Sequence, residues 1–438
     1  MNPARTVAVE TLGCKVNQYE TSYFLELLQQ AGYRLVPFCE RADIYIVHSC
    51  AVTAKAGSQT RQLLRRAGRN NPNALVVAAG CYAQLEGERI AKDKLATHIL
   101  GNSGKFDLIR FLNQPGSFER PCLALDWTQR SCSEFEILPV SSMHTGRTRA
   151  MLKIQDGCDA FCSYCVVPHV RGRSRSLPIG MVLTQLEELV NAGYLEIVLT
   201  GIHLGRWGKD FEPKLSLTHL LEKIASGSRP ARLRLSSIEP DEFDSGLLGR
   251  ILSEPWICRH FHIPLQSGDA EILERMRRPY GPQRYAELIG QIHAALPDAA
   301  IGADVLTGFP GESEKQFENT LDFIEGLSVS YLHVFPFSAR PGAPAAGFPG
   351  QVPGGELKRR ASLLQALGRR KKRIFRESFI GEIMEVLVET SPQPGLMEGL
   401  SGNYIRVLFP PRGDTRPGRL VRVKPSGFSG EDLKGELV

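Results

Sequence analysis

Short runs of β-branched residues alternate with segments of helical periodicity along the first hundred residues. Strand-like segments occur at residues 7–10, 43–47 and 75–79, and residues 21–31 repeat apolar positions at helical spacing. Strands that alternate with helices in this way are typical of a parallel α/β sheet. We therefore assign residues 1–114 to an N-terminal α/β domain.

The same alternation returns on a larger scale between residues 145 and 368. Helical patterns such as 181–192 and 285–295 separate strand candidates at residues 151–154, 196–200, 232–236, 260–263, 301–306 and 331–335. About six βα units predict a partial (β/α) barrel, with functional residues at the carboxyl ends of its strands. The intervening residues 115–144 show weak periodicity and are predicted to form a linker.

The last 70 residues have a different pattern. A helix is predicted to run from about Leu357 into the basic run Arg369, Arg370, Lys371, Lys372 and Arg373. Short strands at 383–388, 404–409 and 420–423 follow, separated by Pro and Gly turns. This pattern predicts a small C-terminal β-barrel over residues 369–438.

Length and composition support this multidomain α/β organisation. A chain of 438 residues, 42% hydrophobic and 23% charged, predicts about three globular domains and excludes collagen, coiled coil and general disorder. No apolar run approaches the ~20 residues of a membrane span, so no membrane association is expected. The first residues lack the apolar core of a signal peptide, which predicts a cytoplasmic protein.

Three of the ten cysteines lie close together as Cys158, Cys162 and Cys165, here called the contiguous trio. Cytoplasmic thiols stay reduced, so disulfides do not explain them. A structural zinc site needs four ligands, whereas three thiolates suit a [4Fe–4S] cluster with one open iron. We predict such a cluster here.

A second set, the dispersed trio, consists of Cys14, Cys50 and Cys81, each of which follows an N-terminal strand. Because carboxyl ends of parallel strands share one edge of a sheet, these thiols are expected to converge on a second cluster. The alternative is that each is a small buried apolar residue. The other cysteines, Cys39, Cys122, Cys132 and Cys258, have no mutual spacing and are predicted to be structural.

The contiguous trio resembles the signature of the radical S-adenosylmethionine superfamily. The resemblance implies that S-adenosylmethionine binds the open iron and is cleaved to methionine and a 5′-deoxyadenosyl radical. It also implies that Tyr164 lies near the adenine of this cofactor. The pocket is implied to be lined by Gly201, Glu239, Gln266 and Gly308, each at a predicted strand end. Any of these positions would otherwise be an ordinary turn residue.

Both trios together, followed by a terminal β-barrel, resemble the methylthiotransferase branch of that superfamily over essentially the whole chain. Residues 11–20, TLGCKVNQYE, are most similar to enzymes that methylthiolate N6-threonylcarbamoyladenosine at tRNA position 37. One departure is His48-Ser49-Cys50, where that family commonly has Asn-Thr-Cys. The resemblance implies two [4Fe–4S] clusters, S-adenosylmethionine, and a terminal RNA-binding domain of the TRAM type.

The expected partners are a tRNA anticodon stem-loop and a flavodoxin- or ferredoxin-like electron donor. Residues 369–438 carry 13 Lys and Arg against 9 Asp and Glu, which contributes +4 of the net charge of +6. We predict RNA contacts from the basic run 369–373 and from Tyr404, although a short basic run can equally be a solvated helix end. A second basic stretch, Arg61, Arg65, Arg66 and Arg69, has helical spacing.

Three alternatives remain open on the sequence alone. The methylthiotransferase substrate could instead be N6-isopentenyladenosine in tRNA or an aspartate of a ribosomal protein. A third alternative, from a different class, is an iron–sulfur electron carrier or an RNA-binding protein without chemistry. The second cysteine set and the strand-end glycines argue against that class, because a carrier needs no cofactor pocket.

Overall fold

The computed structural model describes residues 5–125 and 147–438 of the chain. By internal packing the chain divides into two units. Unit 1 takes Met1–Thr145, Asp156–Arg175 and Ser338–Ala346, and unit 2 takes Gly146–Gln155, Ser176–Phe337 and Gly347–Val438. The segment with the contiguous trio, which lies inside the predicted domain of residues 145–368, packs with unit 1, and the bounds of that domain stay a prediction.

Secondary structure alternates regularly along most of the described chain. The first part contains β1 (Thr6–Thr11), α1 (Lys15–Gln30), β2 (Arg34–Leu35), β3 (Ile44–Ser49), α2 (Ala54–Asn70), β4 (Leu75–Gly80), α3 (Cys81–Lys92), β5 (His98–Leu100), α4 (Leu108–Leu112) and β6 (Cys122–Ala124). The middle contains β7 (Arg149–Lys153), β8 (Gln155–Asp156), α5 (Val167–Arg171), β9 (Arg175–Ser176), α6 (Ile179–Asn191), β10 (Glu196–Thr200), α7 (Leu217–Ala225), β11 (Arg232–Leu235), α8 (Ser245–Ser253), β12 (His260–His262), α9 (Ala270–Arg275), α10 (Pro282–Ala295), β13 (Ala300–Thr307), α11 (Glu314–Gly326) and β14 (Tyr331–Pro336). The last part contains α12 (Gly354–Glu377), β15 (Met384–Gln393), β16 (Leu396–Ser401), β17 (Arg406–Phe409), β18 (Leu420–Ser429) and β19 (Asp432–Leu437). Among these helices, none combines the length and apolar character required to span a bilayer.

The sheet of unit 1 is parallel and has the strand order β2-β1-β3-β4-β5-β6. This confirms the predicted parallel α/β domain. Strands β2, β5 and β6 have only two or three residues, too few to show a periodic pattern in the sequence. Because β6 pairs with β5, the sheet extends beyond residue 114 into the segment predicted to form a linker.

The central strands of this sheet are buried on both faces. Ile44 and Ile46 pack into one apolar cluster, while Tyr45 and Val47 pack into another, and all four side chains are fully buried. Helices cover both faces, as expected for a parallel sheet, and this explains why residues 44–47 read as a continuous apolar run. The rigid sheet fixes the positions of the strand ends that carry the dispersed trio.

Six parallel strands of unit 2 form two three-stranded sheets, β11-β10-β7 and β12-β13-β14. Leu233 forms a β-bridge with Ile257, and Ile238 N–H donates to His262 O at 3.1 Å. These two contacts connect β11 and the segment after it with β12. The prediction of about six βα units is confirmed, and its six strand positions agree with the structure to within two residues at either end.

The C-terminal strands close into a barrel of order β15-β16-β17-β19-β18, which confirms the predicted small β-barrel. Val386, Val407, Phe409 and Leu433 are fully buried in its core. Helix α12 is continuous through the predicted boundary between residues 368 and 369. The basic run 369–373 therefore belongs to a helix that precedes the barrel.

Candidate metal centres

The dispersed trio lies at one edge of the unit 1 sheet. Strands β1, β3 and β4 are adjacent, and Thr11 pairs with His48, which pairs with Ala79. Their carboxyl ends are thus in register, and Cys14, Cys50 and Cys81 follow them directly or within three residues. The convergence expected from three separate strand ends follows from this register.

Gly13 shows how closely the strand ends approach. Its φ is +120°, and a β-carbon at this position would lie 2.5 Å from Cys50 Cβ and 3.4 Å from Cys50 Sγ. Only glycine fits both the backbone conformation and the space. Burial, and then negative charge on Cys81 and Cys14, raises the pKa of the Cys50 thiol to about 12.

The donor set of the dispersed trio fits a metal cluster. Cys50 and Cys81 are buried, and Cys14 occupies the N-cap position of α1 without a capping hydrogen bond from its side chain. Three neighbouring thiols oppose each other's ionisation, so three thiolates at this edge require a cation between them. An iron–sulfur cluster supplies that positive charge, and the residues present fit it.

The contiguous trio lies in a tight loop whose start, at Gly157 and Cys158, contacts the backbone of residues 172 and 173. Gly157 has a φ of +73°, and a β-carbon there would lie 1.9 Å from Arg173 O. Cys158 N–H donates to Gly172 O at 3.1 Å, and Cys165 N–H donates to Cys162 O at 3.0 Å. Backbone N–H groups of Ala160 and Val167 point at Cys158 Sγ and Cys165 Sγ, each at 3.4 Å. Such N–H donors are suited to bound thiolates.

The two trios come from segments that contact each other within unit 1. Cys81 packs in one buried cluster with Val166 and Val170, which follow Cys165 in the chain. From the same segment, the buried Arg171 donates to Glu20 Oε1 at 3.0 Å. Sequence reasoning missed Arg171 and Glu20 as site residues; Glu20 stood inside the quoted motif of residues 11–20 without an assigned role.

Two of the predicted cofactor-pocket glycines occupy crowded strand ends of unit 2. A β-carbon on Gly201, which follows β10, would lie 2.9 Å from Gln155 Oε1. Gly308, which follows β13, has a φ of +74° and donates its N–H to Glu312 Oε2 at 2.7 Å. Both positions therefore require glycine for local packing, which is compatible with a cofactor pocket but does not depend on one.

The other predicted pocket residues also lie where strands end. Gln266 has a φ of +68° and donates its N–H to Asp304 O at 2.8 Å. Glu239 is ion-paired with Arg278; burial raises the pKa of its carboxyl, although Arg278 and His203 oppose that rise. Tyr164 is half-buried in the loop of the contiguous trio in unit 1. Their contact with a cofactor remains a prediction.

The basic run on α12 is largely engaged by the protein itself. Arg370 pairs with Glu325, and Lys371 Nζ donates to Leu327 O at 2.7 Å. Lys372 Nζ lies 2.8 Å from Glu431, and the Arg373 guanidinium lies 4.5 Å from the Phe428 ring centroid. The positive charge available to RNA is thus smaller than the sequence count indicates.

The ring of Tyr404 also makes contacts within the protein. Its ring stacks on His260 at a centroid distance of 4.2 Å and lies 5.2 Å from the Arg234 guanidinium. Its φ of +64° fixes it in a tight turn between β16 and β17. The predicted stacking of Tyr404 on an RNA base would compete with these contacts.

The cysteines outside the two trios occupy unrelated positions. Cys39 is exposed, Cys258 is buried after β11, and Cys122 lies in β6 with its Sγ 3.2 Å from Gln114 Oε1. Cys132 lies outside the described residues. Their predicted lack of metal chemistry stays a prediction.

Comparison with known families gives two matches along the chain. Residues 6–101 match a family described as uncharacterized protein family UPF0004, and residues 152–324 match the radical SAM superfamily. The first range ends with β5 and contains the whole dispersed trio. The second range contains the contiguous trio and the strands from β8 to β13.

Curated relatives match the chain nearly from end to end. The threonylcarbamoyladenosine tRNA methylthiotransferase MtaB of Bacillus subtilis is 36% identical, over 96% of this chain and 93% of its own. The protein of the same name in Aquifex aeolicus is 35% identical, over 95% and 99%. The tRNA-2-methylthio-N(6)-dimethylallyladenosine synthase of Moorella thermoacetica is 31% identical, over 99% and 98%.

Among solved structures, the radical S-adenosylmethionine methyltransferase TsrM of Kitasatospora setae has a similar fold. The TM-score is 0.55 at 15% identity, and the match covers 90% of this chain and 78% of that one. At this identity the likeness concerns the fold alone. It supports the multidomain α/β fold.

Proposed function

Because this chain belongs to the family of radical S-adenosylmethionine tRNA methylthiotransferases, we propose that it places a methylthio group on C2 of N6-threonylcarbamoyladenosine at position 37 of tRNA. The observation that carries the proposal is the pair of cysteine trios on a chain that is 36% identical to a threonylcarbamoyladenosine tRNA methylthiotransferase. C2 of adenine carries an unactivated C–H bond, so acid–base groups alone would not replace this hydrogen.

The cysteines present fit the cofactors of the family. Members use [4Fe–4S] clusters and S-adenosylmethionine, which when bound would supply the radical and the methyl group of the methylthio unit. Cys158, Cys162 and Cys165 would hold the cluster that leaves one iron for S-adenosylmethionine. Cys14, Cys50 and Cys81 would hold the second cluster.

The rest of the chain supplies position and shape. Gly201 and Gly308 lack a β-carbon at crowded strand ends, which lets the backbone pass close to its neighbours there. Gln266 is held by backbone hydrogen bonds to Asp304 and Leu306, which fix the position of its backbone. These residues would orient S-adenosylmethionine, since orientation and exclusion of water are the tasks a protein performs in radical chemistry.

A cavity in unit 2 is suited to the anticodon region of the RNA. Its volume is about 540 Å³, and Arg149, His333, Arg369, Lys372, Tyr404 and Arg406 are among its lining residues. Glu389, Glu431 and Asp432 also line the cavity and pair with Arg149, Lys372 and Arg376, so Arg369 is the cation of the basic run that we propose for a phosphate contact. The exposed Arg65, Arg66 and Arg69 on α2 form a second basic surface, in unit 1.

Two expectations complete the proposal. Each catalytic cycle requires one-electron reduction, so we include an electron donor of the flavodoxin or ferredoxin type. We also place the enzyme in the cytoplasm, where its tRNA substrate is. Neither expectation depends on the assignment of individual site residues.

The test is mass spectrometry of tRNA nucleosides from cells with and without this gene. We expect the deletion to remove 2-methylthio-N6-threonylcarbamoyladenosine and to accumulate the form without sulfur. Complementation with the parent gene should restore the product, whereas a Cys14→Ala gene should not. Loss of the methylthio-isopentenyl nucleoside instead would overturn the substrate and favour the second candidate, which the 31% identical Moorella relative represents.

A further inference from the structure

A buried network of charges lies beside the dispersed trio in unit 1. Glu20 on α1 is fully buried and accepts hydrogen bonds from Lys105 Nζ at 2.7 Å and Arg171 Nη1 at 3.0 Å. The Lys105 and Arg171 side chains are only 1% and 2% exposed. Burial of these ions carries a large desolvation cost, so their retention at this place needs a specific reason.

The two cations reach the cysteines through two asparagines. Arg171 Nη2 donates to Asn17 Oδ1 at 2.7 Å, and Asn17 Oδ1 lies 3.8 Å from Cys14 Sγ. Lys105 Nζ donates to Asn102 Oδ1 at 2.8 Å, and Asn102 Nδ2 donates to Cys81 Sγ at 3.4 Å.

Asn102 also joins the network to the segment of the contiguous trio, since its Nδ2 donates to Val170 O at 2.5 Å. Residues that hydrogen-bond to a metal-binding side chain help to orient that side chain. Arg171 is thus linked to Cys14 through Asn17, and Lys105 is linked to Cys81 through Asn102.

The network contains an excess of positive charge. Asp156 Oδ1 accepts from Arg171 Nη1 at 3.0 Å, and Asp156 Oδ2 lies 3.6 Å from Arg175 Nη2. Three cations, Lys105, Arg171 and Arg175, therefore meet two carboxylates, Glu20 and Asp156. His48 Nε2 lies 3.4 Å from Glu20 Oε2 and does not reduce this excess, because a histidine is either neutral or positive.

This excess matches the charge expected of a bound cluster. An oxidised [4Fe–4S] core held by three thiolates carries a net charge of about −1, and reduction makes it more negative. Burial by itself lowers the pKa of Arg171, but negative charge on Cys81, Glu20, Asp156 and Cys14 raises it well above its ordinary value. The guanidinium is therefore always charged and lies within electrostatic reach of the trio.

We propose that Arg171 is a positioning residue for the cluster of the dispersed trio: from the segment of the contiguous trio, it orients α1 behind Cys14 and places a fixed positive charge beside Cys14 and Cys81. That charge stabilises the reduced cluster more than the oxidised one, so it raises the reduction potential. The inference rests on the two-cluster part of the proposed function and not on the identity of the RNA.

The test isolates the cluster of the dispersed trio in full-length protein. Cys158, Cys162 and Cys165 are replaced by Ala, the protein is reconstituted with iron and sulfide, and its midpoint potential is measured by EPR-monitored titration. Arg171→Gln removes the charge and Arg171→Lys keeps it. Arg173→Gln is the matched control, because Arg173 lies on the same segment in an exposed ion pair with Asp159.

We expect Arg171→Gln to shift the midpoint potential to a more negative value, Arg171→Lys to stay close to the parent potential, and Arg173→Gln to have no effect. An Arg171→Gln protein that holds about four irons at an unchanged potential would overturn the inference. If Arg171→Gln loses its iron, Arg171→Lys decides: retention of iron near the parent potential supports the role of charge, and equal loss contradicts it. A parent that binds no iron would instead count against the two-cluster proposal itself.

Discussion

Arg234 Nε donates to Glu196 Oε1 at 2.7 Å, and both side chains are completely buried. The same guanidinium donates to Ser401 O at 3.1 Å and Gly402 O at 3.0 Å. One side chain of β11 is thus bonded to β10 and to the turn after β16 within unit 2. The ion pair ties the strands that carry the predicted cofactor pocket to the C-terminal barrel.

Removal of Arg234 should therefore destabilise unit 2. Arg234→Met leaves Glu196 buried without its main partner, and we expect a loss of about 3–5 kcal/mol in the free energy of unfolding. Denaturant unfolding of the apoprotein measures it. Arg259→Met breaks an exposed pair with Asp298 and should cost less than about 1 kcal/mol. Equal losses in the two variants would contradict the assigned role of burial.

Glu196 also predicts a pH dependence. Burial alone would raise the pKa of its carboxyl, but Arg234, Arg149 and Arg232 hold it below the ordinary value. An acid with a depressed native pKa contributes stability above its unfolded pKa, near 4.5, and loses that contribution as the pH falls toward the native pKa. Below pH ~4.5 this group should lower the unfolding free energy by up to about 1.4 kcal/mol per pH unit. Glu196→Gln should remove this slope, and an unchanged slope would refute the assignment.

Gly13 and Gly32 offer a matched pair of glycines with positive φ. Gly13→Ala would place a β-carbon 2.5 Å from Cys50 Cβ, whereas Gly32→Ala meets no atom within 4 Å. Both substitutions strain the backbone by about 1–2 kcal/mol, but only Gly13→Ala displaces a ligand. We expect Gly13→Ala to lose the iron of the dispersed trio and Gly32→Ala to keep it, as measured by iron content after reconstitution.

Substitutions in the two trios should differ in their effects on methylthiolation and on S-adenosylmethionine cleavage. Cys14→Ala should halve the iron content, to about four atoms per chain, and should abolish methylthiolation while some S-adenosylmethionine cleavage remains. Cys158→Ala should abolish that cleavage as well. Cys39→Ala, at an exposed cysteine outside both trios, is the control and should retain both activities. Full methylthiolation by Cys14→Ala protein would show that the two-cluster assignment is wrong.

Two neighbours in the basic run should differ in RNA binding. Arg369 lines the cavity of unit 2, whereas Lys371 donates to Leu327 O and Glu325 O. Arg369→Gln should weaken tRNA binding and reduce the slope of log affinity against log salt by about 1. Lys371→Gln should lower stability without changing that slope, so equal slopes for both variants would argue against an RNA contact at Arg369.

Patterns along the chain determined the element types and the cysteine positions. Strands β3 and β10 were predictable because their burial leaves continuous apolar runs, and Cys50 and Cys81 stand directly after strands. Convergence of the dispersed trio followed from a general property of parallel sheets, whose strand ends share one edge. Such features are local or periodic, so each is visible in a short stretch of sequence.

Only the tertiary structure decided which distant groups meet. Arg171 pairs with Glu20 across 151 positions and Lys105 with Glu20 across 85, and no spacing in the sequence marks these partners. Likewise, α12 continues through the expected boundary at residue 368, and residues 156–175 pack with the N-terminal sheet. The physical reason is that periodicity records which face of an element is buried, whereas buried charges are matched only after the elements have packed.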